Sequence, residues 1–164
     1  MDVLWQELTA GLGDEGQFLR VVVRLTAAVL LGAVIGIQRE RAGKPAGLRT
    51  HMLVTLGTAV FVLTCAGVRM SSDGLSRVIQ GLVTGIGFIG AGSILKISEQ
   101  RDVQGLTTAA GVWMTAAVGV AVGLGSIGVA MLSTAFTLVI LSVAMRFERS
   151  IDRARADHVE ARNN

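Results

Sequence analysis

A dense group of polar side chains follows the first apolar stretch and holds most of the residues that could do chemistry. It combines a carboxylate and an imidazole with several cations in 14 residues: Gln38, Arg39, Glu40, Arg41, Lys44, Arg49, Thr50 and His51. One interpretation is orientation, in which the cations keep this segment in the cytoplasm and pair with anionic lipid headgroups. In the other, Glu40 pairs with a basic neighbour while Arg49 and His51 contact a partner or a gate.

These residue types predict neither a metal site nor an enzyme. His51 has no second histidine, and no cysteine or carboxylate at ligand spacing, so we assign no metal. The sequence lacks a nucleophile–base pair and a nucleotide-binding loop, which argues against catalysis and against ATP-driven transport. Basic residues occur in short clusters between apolar blocks, so a continuous nucleic-acid-binding face is excluded as well.

The glycines of "GIGFIGAGSIL" (85–95) raise a second possibility. Gly85, Gly87 and Gly90 match the spacing of a dinucleotide-binding turn, but Asp102 lies in a polar segment expected to be a loop, and no soluble βαβ unit follows. We therefore predict no cofactor. The glycines serve either tight helix packing or a broken helix that lines a cavity at membrane depth. The candidate cavity residues are Gln80, Thr84, Gly85, Gly87, Gly90, Gly92 and Ser93.

The elements that must position these residues are set by long uncharged blocks. The chain is 51% apolar and 16% charged, whereas a soluble domain has about 25% charged residues. Val103 to Met145 is 43 residues without a charge or a histidine. This block is long enough for two helices of about 20 residues each. Shorter uncharged blocks are Val78–Leu95, Met52–Val68 and Leu25–Ile37.

We therefore predict an all-α integral membrane protein with five transmembrane helices. The predicted spans are 21–37, 51–68, 78–95, 106–124 and 127–145. Cations should collect on the cytoplasmic side, and this span count places four of them in 38–51, two in 96–105 and five in the tail, against four on the other side. The prediction is an extracytoplasmic segment 1–20, a membrane domain 21–145 and a cytoplasmic basic tail 146–164, with the N-terminus outside and the C-terminus inside.

Small residues recur every four positions within the spans. Helices in lipid gain by close backbone approach over such residues. The stripes are Ala28–Gly32–Gly36, Gly81–Gly85, Gly87–Ala91 and Thr115–Gly119–Gly123. The residues assigned to helix packing are Gly32, Gly36, Gly81, Thr107, Thr108, Trp113, Gly119 and Gly123. The expected partners are the lipid bilayer and further copies of the chain in a homo-oligomer, with a dimer favoured.

Three segments together resemble the signature blocks of the MgtC/SapB family of bacterial inner-membrane proteins. They are "GIQRERAGKPAGLRTH" (36–51), "GIGFIGAGSIL" (85–95) and "GLTTAAGVWMTAAVG" (105–119). The resemblance covers residues 21 to 145 and implies five membrane helices in a multi-pass inner-membrane protein. It also implies a part in adaptation to low magnesium, acid or host conditions. Longer members are virulence factors, and some are linked to magnesium uptake or to restraint of the ATP synthase.

Two departures from the family limit what can be carried over. Gln38 stands where the family usually has glutamate, and the tail after the last span is too short for the cytosolic domain of longer members. The predicted spans also lack carboxylates, which usually mark cation pathways. We therefore expect a role in ion homeostasis and stress adaptation through regulation of a membrane partner such as the ATP synthase. Direct transport of magnesium or another cation through a cavity at 85–92 is the alternative.

Overall fold

The fold is a bundle of apolar helices. The computed structural model describes Leu4 and residues 14–68, 70–97 and 102–143. Its elements are α1 (Glu15–Arg41), α2 (Leu48–Gly67), α3 (Ser72–Gly92), β1 (Leu95–Ile97), β2 (Asp102–Gln104), α4 (Leu106–Gly123) and α5 (Ile127–Val143). Helices α1 to α4 are long and apolar enough to cross a membrane, and α5 is a shorter apolar helix. The prediction of a bundle of long apolar helices is confirmed, with four helices long enough to cross a membrane, while the tail 146–164 lies outside the described residues.

Helix starts are fixed by oxygen atoms that accept exposed backbone N–H groups. The Asp14 carboxylate caps α1 by accepting the N–H of Gln17 at 2.7 Å. The Ser71 hydroxyl caps α3 by accepting the N–H of Gly74 at 3.2 Å. Such N-cap residues satisfy donors that the helix itself leaves unpaired. The first turn of α2 has no side-chain cap from its own N-cap residue. Instead, the Glu40 carboxylate of the preceding helix accepts the N–H of Leu48 at 2.9 Å.

Helix α2 lies between α1 and α4 and touches both over glycines. A Cβ atom at Gly36 would lie 2.6 Å from the Leu48 Cα atom, and one at Gly32 would overlap the Thr55 hydroxyl. On the other side, Gly119 lies against Thr58 and Gly123 against Val62. The missing side chains let the backbones approach closely, which maximises dispersion contacts in lipid.

Helix α3 bears on two predictions about residues 78–95. It is continuous through its glycines to Gly92, so the unwound segment considered for 85–92 is not formed. Gly81 was assigned to helix packing, but a Cβ there would meet none of the described atoms within 4 Å, so Gly81 makes no close contact with another described helix of this chain. The physical reason is rotation, because α3 turns Ile86 and Gly90 inward, whereas Gly81 and Gly85 line an open groove beside α2.

The segment expected to be a polar loop contains a short antiparallel hairpin. The third span was predicted to reach Leu95, yet Leu95 begins β1 and pairs with Gln104 of β2. Gly105 has a φ of +97° and lies against the Ser93 carbonyl. A left-handed residue with no Cβ allows this contact. The chain leaving α3 and the chain entering α4 therefore lie side by side, and β1 and β2 pair over three residues.

Adding bulk at Gly119 should destabilise the bundle. We expect Gly119→Leu to lower the melting temperature of the detergent-purified chain by roughly 3–10 °C, because the new side chain must push α2 away from α4. The matched control is Gly128→Leu, since a Cβ at Gly128 meets no described atom within 4 Å. Equal melting temperatures for the two variants would contradict this packing.

Candidate functional site

Buried polar side chains collect where α1, α2 and α4 meet. Five of them form what we call the Arg39–His51 cluster: Arg39, His51, Thr55, Thr108 and Thr115. Each is at most 2% exposed. Buried polar groups in an apolar medium are costly unless they are hydrogen-bonded. The hydrogen bonds of this cluster therefore decide how the three helices fit together.

Arg39 joins α1 to α4. The inward residues of α1 include Ala28, Gly32 and Ile35, and Arg39 continues this stripe at the last turn of the helix. Its side chain is 1% exposed, and Nη2 donates to the Thr108 hydroxyl at 2.7 Å. A guanidinium keeps its charge in proteins. The cluster thus contains a permanent positive charge between two helices.

His51 joins α2 to α4 on the next layer. Its Nδ1 atom lies 2.7 Å from the Thr115 hydroxyl oxygen, and the Thr115 hydroxyl donates its own hydrogen to the Gly111 carbonyl at 2.8 Å. Because that hydrogen is used, the Thr115 oxygen accepts and His51 donates from Nδ1. The other ring nitrogen, Nε2, has no hydrogen-bond partner among the described residues. The ring edge lies beside Gly111, where a Cβ would be 3.8 Å from Cε1.

Of the remaining residues in the predicted loop group, Glu40 caps the start of α2, and the others are exposed or half-buried. Glu40 was expected to pair with a basic neighbour, but its carboxylate accepts the Leu48 N–H, because the start of α2 exposes unpaired donors. Arg41 and Arg49 are exposed, and the half-buried members are Gln38, Lys44 and Thr50. Of the eight candidates, Arg39 and His51 are the two that enter the described bundle.

The predicted cavity residues are not brought together. Gly81 and Gly85 line a groove of about 680 Å³ between α2 and α3. Gln80, Thr84 and Gly87 are exposed outside it. The last three serve the helix end or its surface: Gly90 touches Ala109, Ser93 bonds the Gly90 carbonyl, and Gly92 is exposed.

Two residues assigned to packing face a second groove. Thr107 and Trp113 are exposed and line a space of about 680 Å³ between α4 and α5. Its wall also includes Gly111, Ser133 and Thr137. Thr108, one position after Thr107, turns inward to Arg39. Neighbouring residues point about 100° apart on a helix. The Thr108 hydroxyl therefore lies inside the bundle, whereas the Thr107 hydroxyl lies on its surface.

The chemistry of the cluster suits hydrogen bonding and anions better than divalent cations. Its groups are a guanidinium, an imidazole and hydroxyls, and no carboxylate occurs among the buried polar residues of the described chain. No group of three or more His, Cys, Asp or Glu residues that could hold a metal is found in that part either. Hard divalent cations such as magnesium prefer several oxygen ligands with negative charge.

Sequence reasoning did not find the partners of His51. Thr115 was predicted only as part of a small-residue packing stripe. Thr55, whose hydroxyl donates to the backbone carbonyl of His51, was not named. The available signal was the four-residue spacing of Thr55 from His51 and of Thr115 from Gly111. A threonine hydroxyl at this spacing can bond the carbonyl of the preceding turn.

Comparisons with known proteins agree with this architecture. The model of the MgtC family matches residues 25–150. The chain belongs to the MgtC family. It is 43% identical to Protein SrpB of Synechococcus elongatus over 82% of this chain and 80% of that protein. It is 39% identical to the "Putative magnesium transporter YhiD" of Escherichia coli K12 over 74% of this chain and 59% of that protein.

Protein MgtC of Salmonella typhimurium LT2 is 44% identical over 71% of this chain and 49% of that protein. The chain therefore spans most of SrpB, but only about half of MgtC and 59% of YhiD. No solved structure matches this MgtC family member. Family membership and the four long apolar helices together make the chain a membrane protein.

The contribution of the Arg39–Thr108 hydrogen bond to stability should be measurable with the purified protein. We expect Thr108→Val to lower the free energy of unfolding by about 1–3 kcal/mol, because Nη2 loses a buried acceptor without a change of side-chain shape. Thr107→Val is the control, since Thr107 is exposed. Thermal unfolding in detergent compares the two, and equal stability would show that the bond contributes nothing.

Proposed function

We propose that the chain is a multi-pass inner-membrane protein of magnesium homeostasis that regulates a membrane partner during adaptation to low magnesium or acid. Membership of the MgtC family and the similarity to the "Putative magnesium transporter YhiD" support the link to magnesium. The observation that carries the regulatory role is the buried charge of Arg39 in a cluster without carboxylates. A cation carrier needs the opposite electrostatics.

The proposed topology has five spans, with the N-terminus outside and the C-terminus inside. The Arg39–Thr108 bond supports it by bringing the 42–47 connection and the β1–β2 hairpin to the same end of the bundle. Arg24, in the first half of α1, donates to the Gly123 carbonyl at 2.9 Å and joins α1 to the C-terminal end of α4, away from the hairpin. With both basic connections at one end, the positive-inside rule supports a cytoplasmic location for that end. The 17 residues of α5 extend about 26 Å, close to the apolar thickness of a bilayer.

Labelling of single cysteines tests this orientation. Starting from Cys65→Ser, we expect Ser72→Cys to react with a membrane-impermeant maleimide on spheroplasts, and Pro45→Cys to react only after the membrane is opened. Ser72 begins α3, while Pro45 lies between α1 and α2, and both are exposed. The reverse labelling pattern, or equal labelling of both sites, would overturn the proposed topology.

Electrostatics favour regulation over direct transport. A magnesium ion that entered between α1, α2 and α4 would approach a guanidinium that cannot lose its proton, and Coulomb repulsion is strong in a low-dielectric interior. The hydroxyls of the cluster add little binding strength for a divalent ion, and those of Thr55 and Thr115 already donate to backbone carbonyls. The cluster instead connects three helices at the proposed cytoplasmic end. A partner that contacts the 42–47 connection would therefore act directly on helix packing.

Direct transport stays a second candidate because of the groove between α2 and α3. It holds about 680 Å³ and is lined by Gly57, Gly81 and Gly85 together with apolar side chains. Thr58 adds a hydroxyl, which already bonds carbonyls of its own helix. The groove thus has space for an ion but few groups that could bind one.

The partner in the regulatory proposal is a membrane complex, for which the ATP synthase is the candidate that the family resemblance names.

Flux measurements separate the two functions. We expect proteoliposomes with the purified chain and an internal magnesium indicator to show no more magnesium entry than protein-free liposomes. In cells that depend on this chain for growth at low magnesium, Arg39→Gln should abolish growth, whereas Arg20→Gln on the same helix should not. Arg20 is exposed near the other end of α1. Magnesium entry that rises with the amount of protein would establish transport instead.

A further inference from the structure

The outward side of α3 differs from the outward sides of its neighbours. Its buried residues are Ile86 and Gly90. At 100° per residue, the opposite side carries the residues that we call the outer face of α3: Arg77, Gln80, Gly81, Thr84 and Phe88. All five are exposed. Gly81 lies at the edge of this face, beside the groove between α2 and α3. By contrast, exposed positions such as Leu30 and Val34 of α1 or Phe136 and Ile140 of α5 are large and apolar, as lipid contact requires.

Gln80 makes this face unsuitable for lipid. It lies about 12 Å along the helix axis from Ser72, inside the apolar layer if α3 crosses the membrane. Its side-chain amide bonds none of the other described residues, whereas the Thr84 hydroxyl donates to the backbone carbonyl of Gln80 at 3.0 Å. An amide without a hydrogen bond in hydrocarbon costs several kcal/mol. A partner must therefore supply both a donor and an acceptor at this position.

The space beside Gln80 admits another helix. A Cβ at Gly81 would meet no described atom within 4 Å, so the helix backbone is open at this edge of the face. A residue without a side chain lets a second membrane helix approach closely. Phe88 lies on the same face with 83% of its surface exposed. The outer face of α3 thus offers a flat contact area with a hydrogen-bonding group and a large side chain.

We infer that the outer face of α3 is the interface with a second copy of this chain, with the two Gln80 amides hydrogen-bonded to each other. Copies of one chain insert with the same orientation, so a two-fold axis along the membrane normal pairs α3 with α3 in parallel. Each residue then lies near its own counterpart. A primary amide carries donors and an acceptor and is therefore complementary to itself.

Charges at the start of α3 fit the same arrangement. Asp73 and Arg77 are four residues apart and exposed, and neither pairs with another described side chain. In a parallel pair, Asp73 lies within reach of Arg77 of the partner subunit, and the symmetry repeats this ion pair. The interface therefore has charge complementarity at one end, an amide pair within the membrane and a glycine contact next to that amide pair. This inference does not depend on whether the chain regulates or transports.

Cross-linking in native membranes tests the interface. In the Cys65→Ser full-length chain, we expect Thr84→Cys and Phe88→Cys to form disulfides of dimer mass under mild oxidation. Leu30→Cys, an exposed position on α1, should give less than a tenth of that yield. No dimer band at residues 84 and 88, an equal yield at residue 30, or adducts only with a different chain would overturn the inference.

A second test adds a large side chain to the proposed interface and measures dimer dissociation. We expect Gly81→Leu to raise the dimer dissociation constant at least tenfold in nanodiscs, counted by single-molecule photobleaching. The melting temperature should stay unchanged, since the described chain leaves open space at Gly81. Gly128→Leu, which adds the same side chain to an open position of α5, should leave the dimer intact. An unchanged dissociation constant for Gly81→Leu would contradict the proposed surface.

Discussion

The close approach of α2 to α1 and α4 is the constraint on which the rest of the structure depends. Lipid gives helices no hydrophobic reason to associate, so dispersion contacts and hydrogen bonds must hold them together. Gly32 and Gly36 on one side, and Gly119 and Gly123 on the other, let α2 backbone and short side chains fill the gap. This spacing also brings the Arg39–His51 cluster within hydrogen-bond distance. With larger residues at these positions, Arg39 would not reach Thr108.

Buried hydroxyls show how the bundle limits the penalty of polar groups. Several buried threonines donate to the carbonyl four residues earlier in their own helix: Thr55, Thr58, Thr115, Thr134 and Thr137. Such bonds satisfy the hydroxyl without help from a neighbouring helix. Arg39 and His51 cannot do this and must bond across helices. They therefore determine which helix faces meet, and a change in either is felt by three helices at once.

The sequence alone predicted the helical membrane class but not the details of the site. Uncharged blocks of about 20 residues predict helices because a shorter apolar run cannot cross a bilayer. The rotation of α3 was not predictable, since its glycines lie on several sides and spacing does not say which side meets α4. The hairpin depends on the left-handed Gly105 and on a contact with Ser93 that only tertiary structure reveals. Arg39 was assigned to a basic loop, although it extends the inward stripe of Gly32 and Ile35 by one turn.

Contacts connect the outer face of α3 to the Arg39–His51 cluster. Gly90 on the inner side of α3 packs on Ala109, the residue next to Thr108, and Thr108 accepts the bond from Arg39. The path from α3 through α4 to α1 thus consists of adjacent residues near the proposed cytoplasmic end. Since α3 packs on the bundle along one side only, a second copy bound to its other side would hold it between two surfaces. A shift of α3 in such a pair would press on α4 beside Thr108, where the buried charge is held.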